Sequence, residues 1–421
     1  MAESIRIRLS AGGDRTLAVA CGAGPKFGGN FADVLPIKEW CINDDMLNVS
    51  DSASFTVSNI DGVNRTRFRV GQRVEIDLAD NEVGGGEWSQ VFTGRVIRRR
   101  LGSDISGGSV ILVECMDLGW HFTSCCSRPL QSTNGITLYQ LLGNLVDSTW
   151  GIASTVRGNL RNRTLKQGRA GVLRAQPHDD LAVLPLIQVE PGQTPWQILE
   201  LYFHREGYIL NVGAAGDLVI FRPDYKTPSP YAALEYHGSG EGSRNRNNLE
   251  GHPTLTEEIE GVYSETQCWS TVVIPSIADQ NPENPNAMYR HETYKPSVNP
   301  LPFDRLSVAV DSEAINPTMR KNRAIYAYQM GAFQAWRYEC DVKSHTSKPL
   351  GSRQASFWAS DSIVSLKDSI QGVDETVYVQ AVRKSMTIRD GAKTHLSLRK
   401  VNLLDPTLQA SVSGSSKKAV K

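Results

Sequence analysis

The sequence predicts a mainly β protein in which strand-rich segments at both ends flank a small α/β unit. Three observations carry this. The first third alternates apolar and polar residues between glycine-rich loops. The middle holds a capped amphipathic helix followed by a hairpin. The last third returns to strand patterns and contains an Asp-Gly hairpin signal.

In the first third, "ASFTVSNI" (53–60) alternates apolar and polar residues. "RVEIDL" (73–78) places Val74, Ile76 and Leu78 on one face and Glu75 and Asp77 on the other. "GEWSQVFTGRVIRRRL" gives a strand in which Gly94 permits a bulge or bend. "SVILVECMDL" (109–118) gives another. "DGVN", "NEVGGGE" and "GSDISGG" read as the turns between them. Repeated antiparallel strands of this kind predict a small barrel. In "RVIRRR" (95–100), Arg98 and Arg100 share one face and Arg95 and Arg99 the other. The run reads as an exposed sheet edge whose charges oppose aggregation.

The middle begins with "TLYQLLGNLVDSTWG" (137–151), an amphipathic helix. The basic stretch "VRGNLRNRTLKQGRAGVLR" reads as a solvated loop or as a surface for an acidic partner. Thr194 caps a second helix and Pro195 takes its first position. Trp196, Leu199, Tyr202 and Phe203 then recur on one face. Gly207 suits the left-handed C-cap. His204 and Glu206 fall in the last helical turn, where a cation is favoured by the helix dipole. No nucleophile or metal ligand accompanies them, so they read as a solvated helix end.

From about 234 the chain turns glycine- and asparagine-rich. "GVYSETQCWSTVVIP" (261–275) resumes a strand pattern, and 276–304 reads as a long loop without periodicity. A helix is predicted from Pro317 to about Phe333, passing into a strand. "SIVSLKD", "ETVYVQAVRKSMTIRD" and "AKTHLSLRKV" follow, the last two flanking Asp390-Gly391. Residues 404–421 read as a mobile tail.

The totals narrow the function classes. The 421 residues carry 45 basic and 45 acidic side chains, a balance that argues against a dedicated nucleic-acid binder. The N-terminal residues show no signal-peptide pattern and no stretch is long and apolar enough to span a bilayer, so no membrane insertion is expected. Seven cysteines, an odd number, suggest free thiols in a reducing compartment. Cys115, His121, Cys125 and Cys126 come nearest to a metal cluster, but their spacing lacks a C-x-x-C knuckle. No phosphate-binding loop, dinucleotide fingerprint, H-E-x-x-H or G-x-S-x-G is present. No catalytic, cofactor-binding or metal-binding residue is therefore assigned.

Four stretches carry a family resemblance. They are "WCINDDMLNVSDSASFTVSN…FRVGQRVEIDL…WSQVFTGRV", "QVEPGQTPWQILELYFHREGYILNVGAAGDLVIFRP", "GVYSETQCWSTVV" and "AIYAYQMGAFQAWRYECDV…SIVSLKD…VYVQAVRKSMTIRDGAKTHLSLRKV". In order and spacing they resemble the baseplate (tail) hub proteins of contractile-tailed phages, above all the Mu-like hub. They are also similar to the P2-like late control protein D family and to the N-terminal part of type VI secretion spike proteins. Gln193 stands where the family has an acid, and "SFWASDS" replaces a W-x-P-N before the strand near Ile363.

The resemblance implies two tube-like β-barrel domains flanking an α/β connector: 1–128, 129–235 and 236–403, with 404–421 as tail. Together with the local signals above, it makes Trp40, Gly71, Gly94, Trp196, Gly207 and Gly391 the expected structural residues. It implies a homotrimer forming a pseudo-sixfold ring that joins the tail tube to the central spike protein, with other baseplate proteins around it. DNA or the tape measure protein would touch the lumen only in passing. The location implied is the virion, after assembly in the host cytoplasm. Two other readings stay open: a tail-associated cell-wall hydrolase, and a carbohydrate-binding tail module suggested by tryptophans such as Trp88.

Overall fold

The computed structural model describes residues 4–10, 16–21, 37–59, 62–80, 88–104, 108–126, 130–131, 136–137, 141–142, 145, 173–175, 183–184, 188–189, 191–206, 209–214, 216, 218–223, 230–237, 248–271, 289–311, 314, 317–342, 344–347, 355–387 and 390–401. Gly207, most of the basic stretch, 276–288 and 404–421 lie outside them.

The N-terminal strands are β1 (Ser4–Ser10), β2 (Thr16–Cys21), β3 (Ile37–Asp45), β4 (Ser52–Ser58), β5 (Arg73–Ala79), β6 (Ser89–Asp104) and β7 (Gly108–Asp117). They pair antiparallel in the order β3-β4-β7-β6-β5-β1-β2. Alternation drives this: Val74, Ile76 and Leu78 are buried, as are Phe55, Val57, Ile111 and Val113. Ile5 and Ile7 of β1 share one core with Trp40 and Ile42 of β3, so the sheet curls around a single interior. Asp77 departs from the outward-facing expectation and is 2% exposed. Arg6 Nε and Arg8 Nε and Nη2 donate to its carboxylate at 2.8–2.9 Å and cover it. Gly94 serves close approach: a Cβ there would sit 2.2 Å from the Met116 carbonyl oxygen.

A short helix α1 (Trp120–Ser124) leads into the connector. Leu141, Leu142 and Leu145 are helical and buried, in line with the predicted amphipathic segment. Two-residue ladders join β8 (Leu130–Gln131) to β12 (Gln188–Val189) and β9 (Ile136–Thr137) to β11 (Val183–Leu184). Helix α2 spans Pro195–Glu206. Its start is a reciprocal cap: Gln197 N donates to Thr194 Oγ1 at 3.2 Å, and Thr194 N donates to Gln197 Oε1 at 2.9 Å. Leu199, Tyr202 and Phe203 are buried, whereas Trp196 is half-buried and stands beside that face. Strand β10 (Leu173–Ala175) pairs with β14 (Leu218–Pro223), which forms the expected hairpin with β13 (Ile209–Val212).

The remaining strands are β15 (Ala232–Tyr236), β16 (Leu249–Glu257), β17 (Glu265–Thr271), β18 (Tyr289–Tyr294) and β19 (Leu306–Val310). After helix α3 (Pro317–Ala335) come β20 (Trp336–Val342), β21 (Thr346–Ser347), β22 (Ser356–Phe357), β23 (Ser362–Asp368), β24 (Val373–Thr387) and β25 (Gly391–Lys400). A second curled sheet runs β16-β20-β25-β24-β23-β15 around a core that includes Leu234, Leu249, Tyr338 and Val379. Asn248 closes it. Its side chain accepts from Glu235 N and donates to Ala233 O, and its own N–H donates to Glu235 O. Gly391, at φ 73°, turns the hairpin between β24 and β25.

Three expectations are corrected here. Residues 232–235 were expected in the connector, but β15 hydrogen-bonds in parallel with β23 of the second barrel. Strand β17, in the stretch "GVYSETQCWSTVV" that the resemblance makes the first strand of the second barrel, is not a barrel strand. It forms a separate sheet, β18-β17-β19, because Thr266, Cys268 and Ser270 bury one face under α3. Residues 289–294, read as loop, form β18; "YRHETY" has no apolar periodicity to announce a strand.

Candidate assembly seam

The two barrels repeat one design. In chain order β3, β4, β5, β6 and β7 correspond to β16, β20, β23, β24 and β25, and each set pairs in the same spatial order. Paired lengths are 9 and 9, 7 and 7, 7 and 7, 16 and 15, and 10 and 10 residues. The hairpins agree in detail. After Val96↔Cys115 one residue, Ile97, bulges, and paired positions then run from Arg98↔Glu114 to Asp104↔Gly108. After Val379↔Leu398 one residue, Gln380, bulges, and they run from Ala381↔Ser397 to Thr387↔Gly391.

Even the turns match. Gly71, at φ 85°, donates its N–H to Val96 O at 2.7 Å; Asp361, at φ 68°, donates to Val379 O at 2.8 Å. Arg95 Nη1 donates to Gly71 O, and the equivalent Tyr378 hydroxyl donates to Asp361 Oδ1. Different residues do the same work at the same place.

The barrels are joined edge to edge. Residues 373–379 of β24 pair with β23 on one side, and residues 381–387 pair on that side with 45–39 of β3. Beyond the ladder, Met46 N donates to Gln380 O at 3.1 Å, and Ser360 N and Oγ donate to the Asp44 carboxylate. Arg383 Nε lies 3.2 Å from Cys41 Sγ. The Trp40 ring stands 4.9 Å from that of His345, whose Nδ1 is 2.8 Å from Thr394 Oγ1. Met386 and Phe357 of the second barrel pack into the core of the first. Met46, Phe333, Ile363 and Tyr378 form a further buried cluster where barrels, helix α3 and connector meet.

Below the seam lies a carboxyl group pair. Asp51 Oδ1 accepts from Asp45 N, and Asp117 Oδ1 accepts from Gly119 N. Burial pushes the Asp117 carboxyl up to about 7. Burial, with Asp44 and Asp117 close by, raises Asp51 well above the usual carboxylate range. A carboxyl raised above its unfolded value, about 4, stabilises the fold fully below that pH. The contribution is lost as pH rises through about 7. Asp117→Asn cannot ionise, so it should gain stability relative to the natural chain between pH 4 and 7, on the order of 1 kcal/mol per pH unit. Urea unfolding at pH 5 and pH 8 measures this; a constant difference would contradict it.

The expected structural residues separate. Trp40 lies at the seam, and Gly71 and Gly94 shape the first barrel. Trp196 belongs to the connector and Gly391 to the second barrel. Cys115 is buried in the first barrel core while Cys126 Sγ faces Gly192 O, so the cysteine cluster does not converge. Cys125 Sγ lies 3.8 Å from His121 Nδ1, and among the described residues no three His, Cys, Asp or Glu side chains form a metal-holding group. Trp88 is half-buried, with the Arg6 guanidinium 4.6 Å above its ring, which leaves that face covered. The basic run is not an edge at Arg95, where β6 pairs with both β5 and β7. From Arg98 onward β6 has β7 on one side only among the described residues.

No protein-family model matches the chain, and no curated protein matches it. Solved structures do. The chain is similar to the tail protein of Neisseria meningitidis MC58, at 19% identity and TM-score 0.67, covering 96% of this chain and 99% of that one. It is similar to the 43 kDa tail protein of prophage MuSo2 from Shewanella oneidensis, at 15% identity and TM-score 0.64, covering 96% and 100%. The Francisella PdpA-VgrG complex (lidded) matches at 9% identity and TM-score 0.53, covering 95% of this chain and 52% of that one. The barrel–connector–barrel chain thus has the fold of phage tail proteins.

Proposed function

We propose that the chain is a structural hub of a contractile phage tail: a homotrimeric ring of six barrels between tube and spike. The internal duplication carries this reading. Two equivalent barrels per chain turn a threefold ring into a near-sixfold one, which is what a junction between sixfold and threefold partners requires. Similarity in fold to two tail proteins supports the tail setting, and similarity to a complex containing VgrG supports a spike as one neighbour. The ring would leave an axial channel for DNA. In this reading the domains divide as 1–128, a connector, a second barrel and the tail 404–421, with β15 counted in the second barrel. The protein is read as non-enzymatic, located in the virion and assembled in the host cytoplasm.

Sedimentation equilibrium of the full chain over a wide concentration range tests the ring. A monomer–trimer equilibrium is expected, shifted to trimer by a spike partner. A stable dimer or hexamer would overturn the proposal.

A further inference from the structure

The seam within the chain, where β3 pairs with β24, has counterparts in β16 and β6. Residues 381–387 of β24 carry β25 on one edge and β3 on the other. Their counterparts in the first barrel, 98–104 of β6, carry β7 on one edge and no strand on the other among the described residues. The counterpart of β3 is β16, which ends the large sheet and, among the described residues, pairs only with β20. Among the described residues, one barrel therefore has a socket without a strand, and the other has a strand without a socket.

We propose that β6 of one copy receives β16 of the next copy as an antiparallel strand, repeating between chains the joint that β24 and β3 make within one. The proposal rests on the ring reading and names the residues that close it. The two edges are different surfaces, so the contact is head-to-tail, as a closed cyclic ring needs.

The register follows from the equivalences. Ala381↔Asp45 becomes Arg98 opposite Glu258, and Lys384↔Ile42 becomes Leu101 opposite Leu255. The run Arg98-Arg99-Arg100-Leu101 thus lies against Glu258-Glu257-Thr256-Leu255. Charge is complementary along it. Arg98 and Arg100 are 57% and 60% exposed and share one carboxylate, Glu114. Glu257 and Glu258 are exposed. Arg99 bonds to carbonyls of its own barrel, Arg65 O and Phe68 O, and so shapes the socket from within.

Exposed apolar side chains fall on the same line. Leu101 is 45%, Ile259 53% and Val70 66% exposed. Ile259 stands where Met46 is fully buried, and Val70 where Ser360 touches Asp44 across the inner seam. A neighbouring copy would cover all three.

Cross-linking in trans tests this. Full chains bearing Leu101→Cys are mixed with full chains bearing Leu255→Cys and treated with a short bis-maleimide. Arg98→Cys with Glu258→Cys serves as a second pair at exposed positions. A covalent dimer is expected in each mixture, well above the background of either variant alone. The chain carrying both Leu101→Cys and Leu255→Cys should give covalent trimers. Linkage of Leu101→Cys chains alone, as efficient as the mixture, would show a symmetric contact and overturn the proposal. Trimers by sedimentation without cross-links would overturn this seam and leave the ring standing. Neither trimers nor cross-links at any concentration would overturn both.

Discussion

Trp40→Ala should destabilise the chain by about 3–5 kcal/mol, the usual cost of removing a buried large aromatic side chain. Trp40 is 4% exposed and sits on β3, the strand that the first barrel presents to the second. Its ring lies in the first barrel core, beside His345 of the second barrel and opposite Met386. Truncation would leave a cavity that crosses the joint, and neither barrel could collapse into it alone. The loss should therefore appear as one transition in urea unfolding, with no separate melting of the two halves. A loss below about 1 kcal/mol would show that the joint is not part of the folding unit.

Met46→Asp should be more severe, above about 4 kcal/mol, because it places a charge where nothing can solvate it. Met46 is fully buried against Phe333, Ile363 and Tyr378, and its backbone N–H is spent on Gln380 O. Met46→Leu keeps the volume and should cost less than about 1.5 kcal/mol. Soluble yield and near-ultraviolet circular dichroism of the two variants measure the contrast. Equal behaviour would mean that the cluster is wetter than its burial indicates.

Much of the fold was legible in local signals. The alternation at Val74, Ile76 and Leu78, the Thr194-Pro195 helix start and the Asp390-Gly391 turn each arise from neighbouring residues, and each appears where expected. The misses arise from tertiary pairing. Asp77 reads as solvent-facing until Arg6 and Arg8 are seen to cover it from another strand. The strand at 289–294 reads as loop because its partner, not its own pattern, makes it a strand.

The site was the least legible part. Gly71 and Asp361 share a left-handed turn, and Arg95 and Tyr378 both tie that turn down, yet the pairs share no chemistry in sequence. The duplication lives in pleat, bulge and turn length, which many residues satisfy. The basic run at 95–100 could be seen, but its acidic counterpart at 257–258 could be assigned to it only through the joint between β24 and β3.

Electron cryomicroscopy of the particle that contains this chain tests the central claim most directly. Three copies around an axial channel, each contributing two equivalent barrels to a near-sixfold ring, is the arrangement expected. Six equivalent copies, or copies placed away from the axis, would contradict it, however well the barrels themselves agreed.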